Sequence, residues 1–124
     1  KVKPFNLSKV DLGELAISTV DAATIVLASP TVLTSAHPEV PYASALLNVI
    51  KPKTKFFSLI GSYGWGGKLV EQITSLLSNM EVDILEPVMI KGYPTLESFA
   101  LLDILADNVF DKHKSIGLIS ENKI

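Results

Sequence analysis

The chain has 124 residues, 48% of them apolar, with 11 basic and 13 acidic side chains and no cysteine. That composition describes one globular domain with room for a core. The near-balanced charge removes the counterion-release drive behind nucleic-acid binding, and the lack of thiols excludes disulfides, thiolate metal sites, iron–sulfur clusters and a thiol nucleophile. No apolar run reaches the roughly 18 residues of a membrane span, and KVKPFNLS at the start has no signal-peptide core, so a soluble cytoplasmic protein is expected.

In chain order, residues 2–5 read as the end of a strand. Ser8, with Asp11 three residues on, has the form of a capping box, opening a helix that turns Leu12, Leu15, Ala16 and Thr19 inward. Residues 24–28 (TIVLA) and 55–60 (KFFSLI) are compact apolar runs ending at turn residues, as expected of strands covered on both faces. A helix over 38–49 follows the first run. Its prolines, Pro38 and Pro41, fall in the first turn, where proline is tolerated, and its inner face is Val40, Ala43, Leu46, Leu47 and Ile50. The spacing over 66–79 predicts a second amphipathic helix, with Leu69, Val70, Ile73, Leu76 and Leu77 inward and Lys68, Glu71, Gln72 and Ser75 outward. Residues 82–90 read as strand broken at Pro87, and Thr95 caps a last helix running to about Lys112.

Strands and helices thus alternate, with connections too long for hairpins. This predicts an α/β fold with a parallel sheet and helices on both faces. Such sheets bind ligands beyond the strands' C-terminal ends, which here means residues 29–37 and 61–67. The first segment, SPTVLTSA, is rich in hydroxyls and uncharged, suited to hydrogen-bonding a neutral polar ring edge. In the second, GSYGWGG, glycines allow close backbone approach while Tyr63 and Trp65 offer flat stacking surfaces. A planar heteroaromatic ligand fits both. Glycines at a strand-to-helix turn also serve the turn alone, and Trp65 could simply cover the core; the residues by themselves leave both readings open. Neither phosphate-binding glycine motif, G-x-x-x-x-G-K-[ST] or G-x-G-x-x-G, is matched.

Ser29-Pro30-Thr31, paired some thirty residues later with Gly61-Ser62-Tyr63-Gly64-Trp65 and Gly67, resembles the flavodoxin-like domain of A-type flavoproteins, the flavodiiron proteins. Lys51-Pro52-Lys53 and Lys91-Gly92-Tyr93-Pro94-Thr95 extend the similarity over nearly the whole chain. The resemblance implies a three-layer sandwich with a parallel sheet of order 2-1-3-4-5 over residues 1–113, with 114–124 as a tail. It also implies a noncovalent FMN cofactor. The isoalloxazine ring would lie between Ser29, Pro30, Thr31, Val32, Leu33 and Thr34 on one side and Ser62, Tyr63, Gly64, Trp65 and Gly66 on the other. Electrons would pass to a di-iron centre in a metallo-β-lactamase-like domain outside this chain, for reduction of dioxygen or nitric oxide. Rubredoxin, a flavin reductase or reduced deazaflavin are the donors implied, and a homo-oligomer is the expected assembly. The sequence departs from the family in two places. Val32-Leu33-Thr34 stands where asparagine commonly follows the SPT motif, and the first strand with its phosphate loop is missing from these residues. A fragment is therefore expected. The alternatives are a degenerate flavodoxin-like module kept for interaction, without cofactor, and a flavodoxin-type quinone reductase.

Other chemistry is weakly supported. His37 and His113 are the only histidines, too few for a di-iron cluster; His37 suits a helix start and His113 a helix end. Ser29 and Ser62 lack a partnering histidine and acid, and Asp21, Asp83, Glu86 and Asp103 lie on separate elements. Lys51, Lys53 and Lys55 read as a solvated strand entry. A receiver-type domain would need an aspartate where Ser29 stands.

Overall fold

The computed structural model describes residues 1–64 and 68–119. Residues 2–5, expected as strand, have no strand partner among the described residues and stay irregular. The chain first becomes regular at α1 (Leu12–Thr19), and its N-cap is Asp11 rather than Ser8. The Asp11 carboxylate accepts from the Gly13 and Glu14 amides at 2.7 and 3.3 Å, and Ser8 turns back onto Asn6. The carboxylate of Asp11 stands directly before the first turn, within reach of its free amides, whereas Ser8 lies three residues further back. Leu15 and Thr19 are buried, as the periodicity requires.

The sheet is built from β1 (Thr24–Val32), β2 (Ser35–Ala36), β3 (Phe56–Tyr63), β4 (Asp83–Ile84) and β5 (Val88–Lys91). β1, β3 and the broken β4–β5 edge are parallel neighbours in that order; β2 folds back antiparallel on the end of β1. This is the expected α/β parallel sheet, although the described order, β2-β1-β3-β4 with β5 beside β3, differs from 2-1-3-4-5. Pro87 lies between β4 and β5, where a missing N–H can do no harm to the ladder.

β3 is the centre. Phe57 and Leu59 point to one face, where α2 (Glu39–Ile50) and α3 (Leu69–Leu76) cover them with Val40, Leu47, Leu69, Ile73 and Leu77. Phe56 and Ile60 point to the other, meeting Leu85, Val88, Ile90 and Leu105 of α4 (Leu96–Ser115). Thr95 caps α4 in a reciprocal capping box with Ser98. His113, near the end of α4, reaches Thr24 at the start of β1 through Nε2 and Oγ1 at 2.6 Å, so it ties the last helix to the sheet.

One expectation fails in an informative way. β1 is covered on one face only: Leu27 and Ser29 are buried, whereas Val26 is 41% exposed and Ala28 and Pro30 face outward. An unbroken apolar run signals burial on both faces only if the chain supplies both covers, and on this side of β1 the end of α4 reaches Thr24 while Val26, Ala28 and Pro30 beyond it stay exposed.

Candidate functional site

The parallel register between β1 and β3 sets Ser29 opposite Gly61 and Pro30 opposite Ser62. Two motifs thirty residues apart therefore become neighbours at the C-terminal end of the sheet, where open α/β sheets take ligands. The strands run further into these segments than expected, to Val32 and Tyr63, so the walls of the site begin as rigid ladder rather than loop.

The first wall is a hairpin that the sequence does not announce. Thr31 pairs with Ala36 and Val32 with Ser35, leaving Leu33 and Thr34 as the two central residues. Both are left-handed, at φ 48° and 69°. Paired positive φ values match the favoured two-residue hairpin turns, which ordinarily use Asn-Gly or Asp-Gly. Leucine and β-branched threonine are strained there. Leu33 is also 91% exposed, so nothing described compensates by burying it.

The second wall is the end of β3. Tyr63 is half-buried, its carbonyl accepting from the Gly92 amide at 2.7 Å, and Gly64 is exposed with open space where a Cβ would stand. Trp65 and Gly66, both expected at the site, lie outside the described residues. Between the walls is a small, shallow, open depression of about 90 Å³ lined by Thr31, Leu33, Thr34 and Gly64. Exposed lysines, Lys68 and Lys91, stand beside it.

The hydroxyls divide into two kinds. Ser29 is buried and used internally: its Oγ donates to the Pro30 carbonyl at 2.7 Å and accepts from the His37 amide at 3.0 Å. It shapes the hairpin. Thr31 is the opposite case, with a buried Oγ1 that has no hydrogen-bond partner among the described residues. Leaving a buried hydroxyl unpaired costs about 1–3 kcal/mol, so an unpaired one lining a depression is a natural contact for a bound molecule. Val32 is exposed on the rim, Pro30 faces outward along β1, and Ser62 is half-buried beside it.

Gln72 was expected to face solvent. It is instead half-buried, and its Oε1 accepts from the Ala36 amide at 2.9 Å, joining α3 to the hairpin. A helical wheel places it outward because periodicity senses only its own helix, not a hairpin packed against the flank. The remaining chemistry-bearing candidates are scattered. His37 Nδ1 accepts from the Glu39 amide at 3.3 Å, capping the start of α2, while Asp21, Glu86 and Asp103 are exposed. Asp83 pairs with Lys112 at 3.2 Å, and Lys51, Lys53 and Lys55 face water. No metal-binding cluster of three or more histidine, aspartate or glutamate side chains occurs among the described residues. No described helix is long and apolar enough to cross a membrane.

No protein-family model matches the chain. The rubredoxin-oxygen oxidoreductase of Megalodesulfovibrio gigas is 29% identical over 93 residues, covering 72% of this chain and 22% of that protein. The solved structure of rubredoxin oxygen:oxidoreductase from Desulfovibrio gigas superposes with a TM-score of 0.70 at 26% identity, over 77% of this chain and 24% of that one. A flavodoxin from the domain Archaea aligns over 87% of this chain and 74% of its own, at 25% identity and a TM-score of 0.69. The flavodiiron protein from Giardia intestinalis shares the fold at 21% identity and a TM-score of 0.67, over 77% of this chain and 24% of its own. The chain thus spans about a fifth of the curated oxidoreductase it matches.

Proposed function

We propose that this chain, whose α/β fold is the flavodoxin-like core shared with flavodiiron proteins, is a flavin-binding domain that holds FMN between its two strand-end motifs. The observation that carries this reading is the register of β1 on β3. It sets the SPT motif against GSY at the end of the sheet, where Thr31 lines the depression and its buried hydroxyl has no partner among the described residues.

The residues fit such a ring. The exposed Val32 and Leu33 give an apolar rim, and Thr31 Oγ1 gives a hydrogen bond to a polar ring edge. Tyr63 provides a flat apolar flank, and the open space at Gly64 lets a ligand approach the backbone. FMN, when bound, supplies one- and two-electron transfer; the chain's part is to seat the ring, exclude water from one side and set the polarity at its edge. The exposed Lys68 and Lys91 favour an electron-rich ligand at this end of the sheet.

The phosphate of the cofactor needs a seat of its own, and none of the described segments resembles one. We place it, with a further strand and helix completing the 1–113 domain, beside β1. Among the described residues the outer edge of β1 is paired only at Thr31 and Val32, and its outward face exposes Val26 and Ala28. An added parallel strand would satisfy that backbone edge, and a helix would cover that face.

In the full protein, electrons would enter from a donor such as rubredoxin, a flavin reductase or reduced deazaflavin. They would leave to a di-iron centre in a metallo-β-lactamase-like domain that reduces dioxygen or nitric oxide. The test is made on the intact protein containing residues 1–124. Acid extraction should release one FMN per chain, and the reduced protein should reoxidise with dioxygen or nitric oxide far faster when iron is loaded than in the metal-free form. Reoxidation at the same rate with and without iron would remove the di-iron acceptor from the proposal.

A further inference from the structure

Resting on that reading of the site, we infer that Gln72 is a positioning residue: it touches no ligand, and sets the gap between the two walls of the cleft.

The hairpin β1–β2 has every reason to be loose. Its ladder is two residue pairs long, and its turn is built on two left-handed residues, neither of them glycine or asparagine. Left-handed backbone is strained for L-residues with a Cβ, so an unsupported turn of this kind would relax or open. Support arrives from one element, the first turn of α3. The Lys68 amide donates to the Thr34 carbonyl at 3.3 Å, and one turn further along Gln72 Oε1 accepts from the Ala36 amide at 2.9 Å. On the other side of the hairpin, the His37 amide is held by Ser29 Oγ at 3.0 Å.

The arrangement matters because α3 is also the element that follows the second wall. Only residues 65–67 separate Gly64 from Lys68, and Leu69 at the head of α3 is 1% exposed, locked against the sheet. One helix start therefore holds both sides: through Leu69, packed directly against Gly61, it braces the end of β3, and through Gln72 it braces the SPT hairpin. Of the hydrogen bonds on the hairpin among the described residues, that from Gln72 is the one made by a side chain of α3, so it can be altered without touching the backbone of either wall. The geometry also fixes the chemistry required at position 72. The partner is an N–H, so the residue must present an acceptor at glutamine's reach; glutamate meets that need and methionine does not.

The experiment compares Gln72→Met and Gln72→Glu in the intact protein. FMN affinity is read by quenching of flavin fluorescence, and amide exchange at Ala36 is read in the cofactor-free protein. Gln72→Met should weaken FMN about tenfold, the worth of one ordered hydrogen bond, and should accelerate Ala36 exchange. Gln72→Glu should restore both. The inference is overturned if Gln72→Met lowers the melting temperature yet leaves FMN affinity unchanged, or if Ala36 exchange does not respond. A wild-type protein that takes up no FMN would instead overturn the underlying reading of the site. The two failures are told apart because Ala36 exchange reports on Gln72 without any ligand.

Discussion

Gly61→Ala should cost about 1–3 kcal/mol of folding stability, a large penalty for one methyl group. Gly61 sits mid-sheet in β3, paired with Ser29 on one side and Met89 on the other. A Cβ built there would fall 2.8 Å from Met89 Sδ and closer still to Leu69 Cδ2. Methionine can swing away; Leu69 is buried at the head of α3, so it yields only at the expense of its packed neighbours or of the helix position. The glycine of the GSYG motif is thus required by the packing of α3 on the sheet, and a shift of α3 would carry the hairpin contacts with it. Urea unfolding checks the cost. Gly64→Ala is the control: its Cβ would meet nothing within 4 Å, so its effect on stability should stay within about 0.5 kcal/mol. Equal effects of the two substitutions would show that the motif's glycines act through backbone freedom, not close packing.

The second large effect has the opposite sign. Replacing Leu33-Thr34 by Asn-Gly should stabilise the fold by about 1–2 kcal/mol, because both positions are left-handed and the new pair accepts that backbone with little strain. Glycine's extra freedom in the unfolded chain returns part of the gain. Leu33 is almost wholly exposed, so its removal takes away little buried surface. A rise of several degrees in melting temperature is the expected readout; a fall would mean that Leu33 and Thr34 make contacts that outweigh their backbone strain. The turn also gives a physical meaning to the departure from the family. Asparagine tolerates the left-handed region, whereas leucine and threonine hold it under strain. In this chain the strained hairpin is hydrogen-bonded by Gln72 and Lys68.

What could be read from the sequence, and what could not, follows from the range over which each signal acts. The inner faces of α2 and α3 and the Thr95 cap were legible because helical periodicity and capping are local. The two motifs were legible as strand ends because apolar runs stop at them. The β1–β2 hairpin was hidden, since Leu33 and Thr34 carry no turn signature at all. Gln72 was hidden because its partner, Ala36, lies 36 residues away on another element. The half-covered state of β1 could not be seen either, because TIVLA encodes an appetite for burial but not whether anything described satisfies it. Residues 2–5 erred in the other direction, extended in composition yet without a strand to pair with.

The central claim is that a flavin ring sits where the SPT hairpin meets the end of β3. Hydrogen exchange of the intact protein, measured with and without added FMN, addresses it most directly. A flavin in this cleft should slow exchange across residues 29–37 and 61–68 together, while the far end of the sheet, at Lys55 and Phe56, stays unchanged. Protection confined to other parts of the chain, or no change in either segment at saturating FMN, would contradict it.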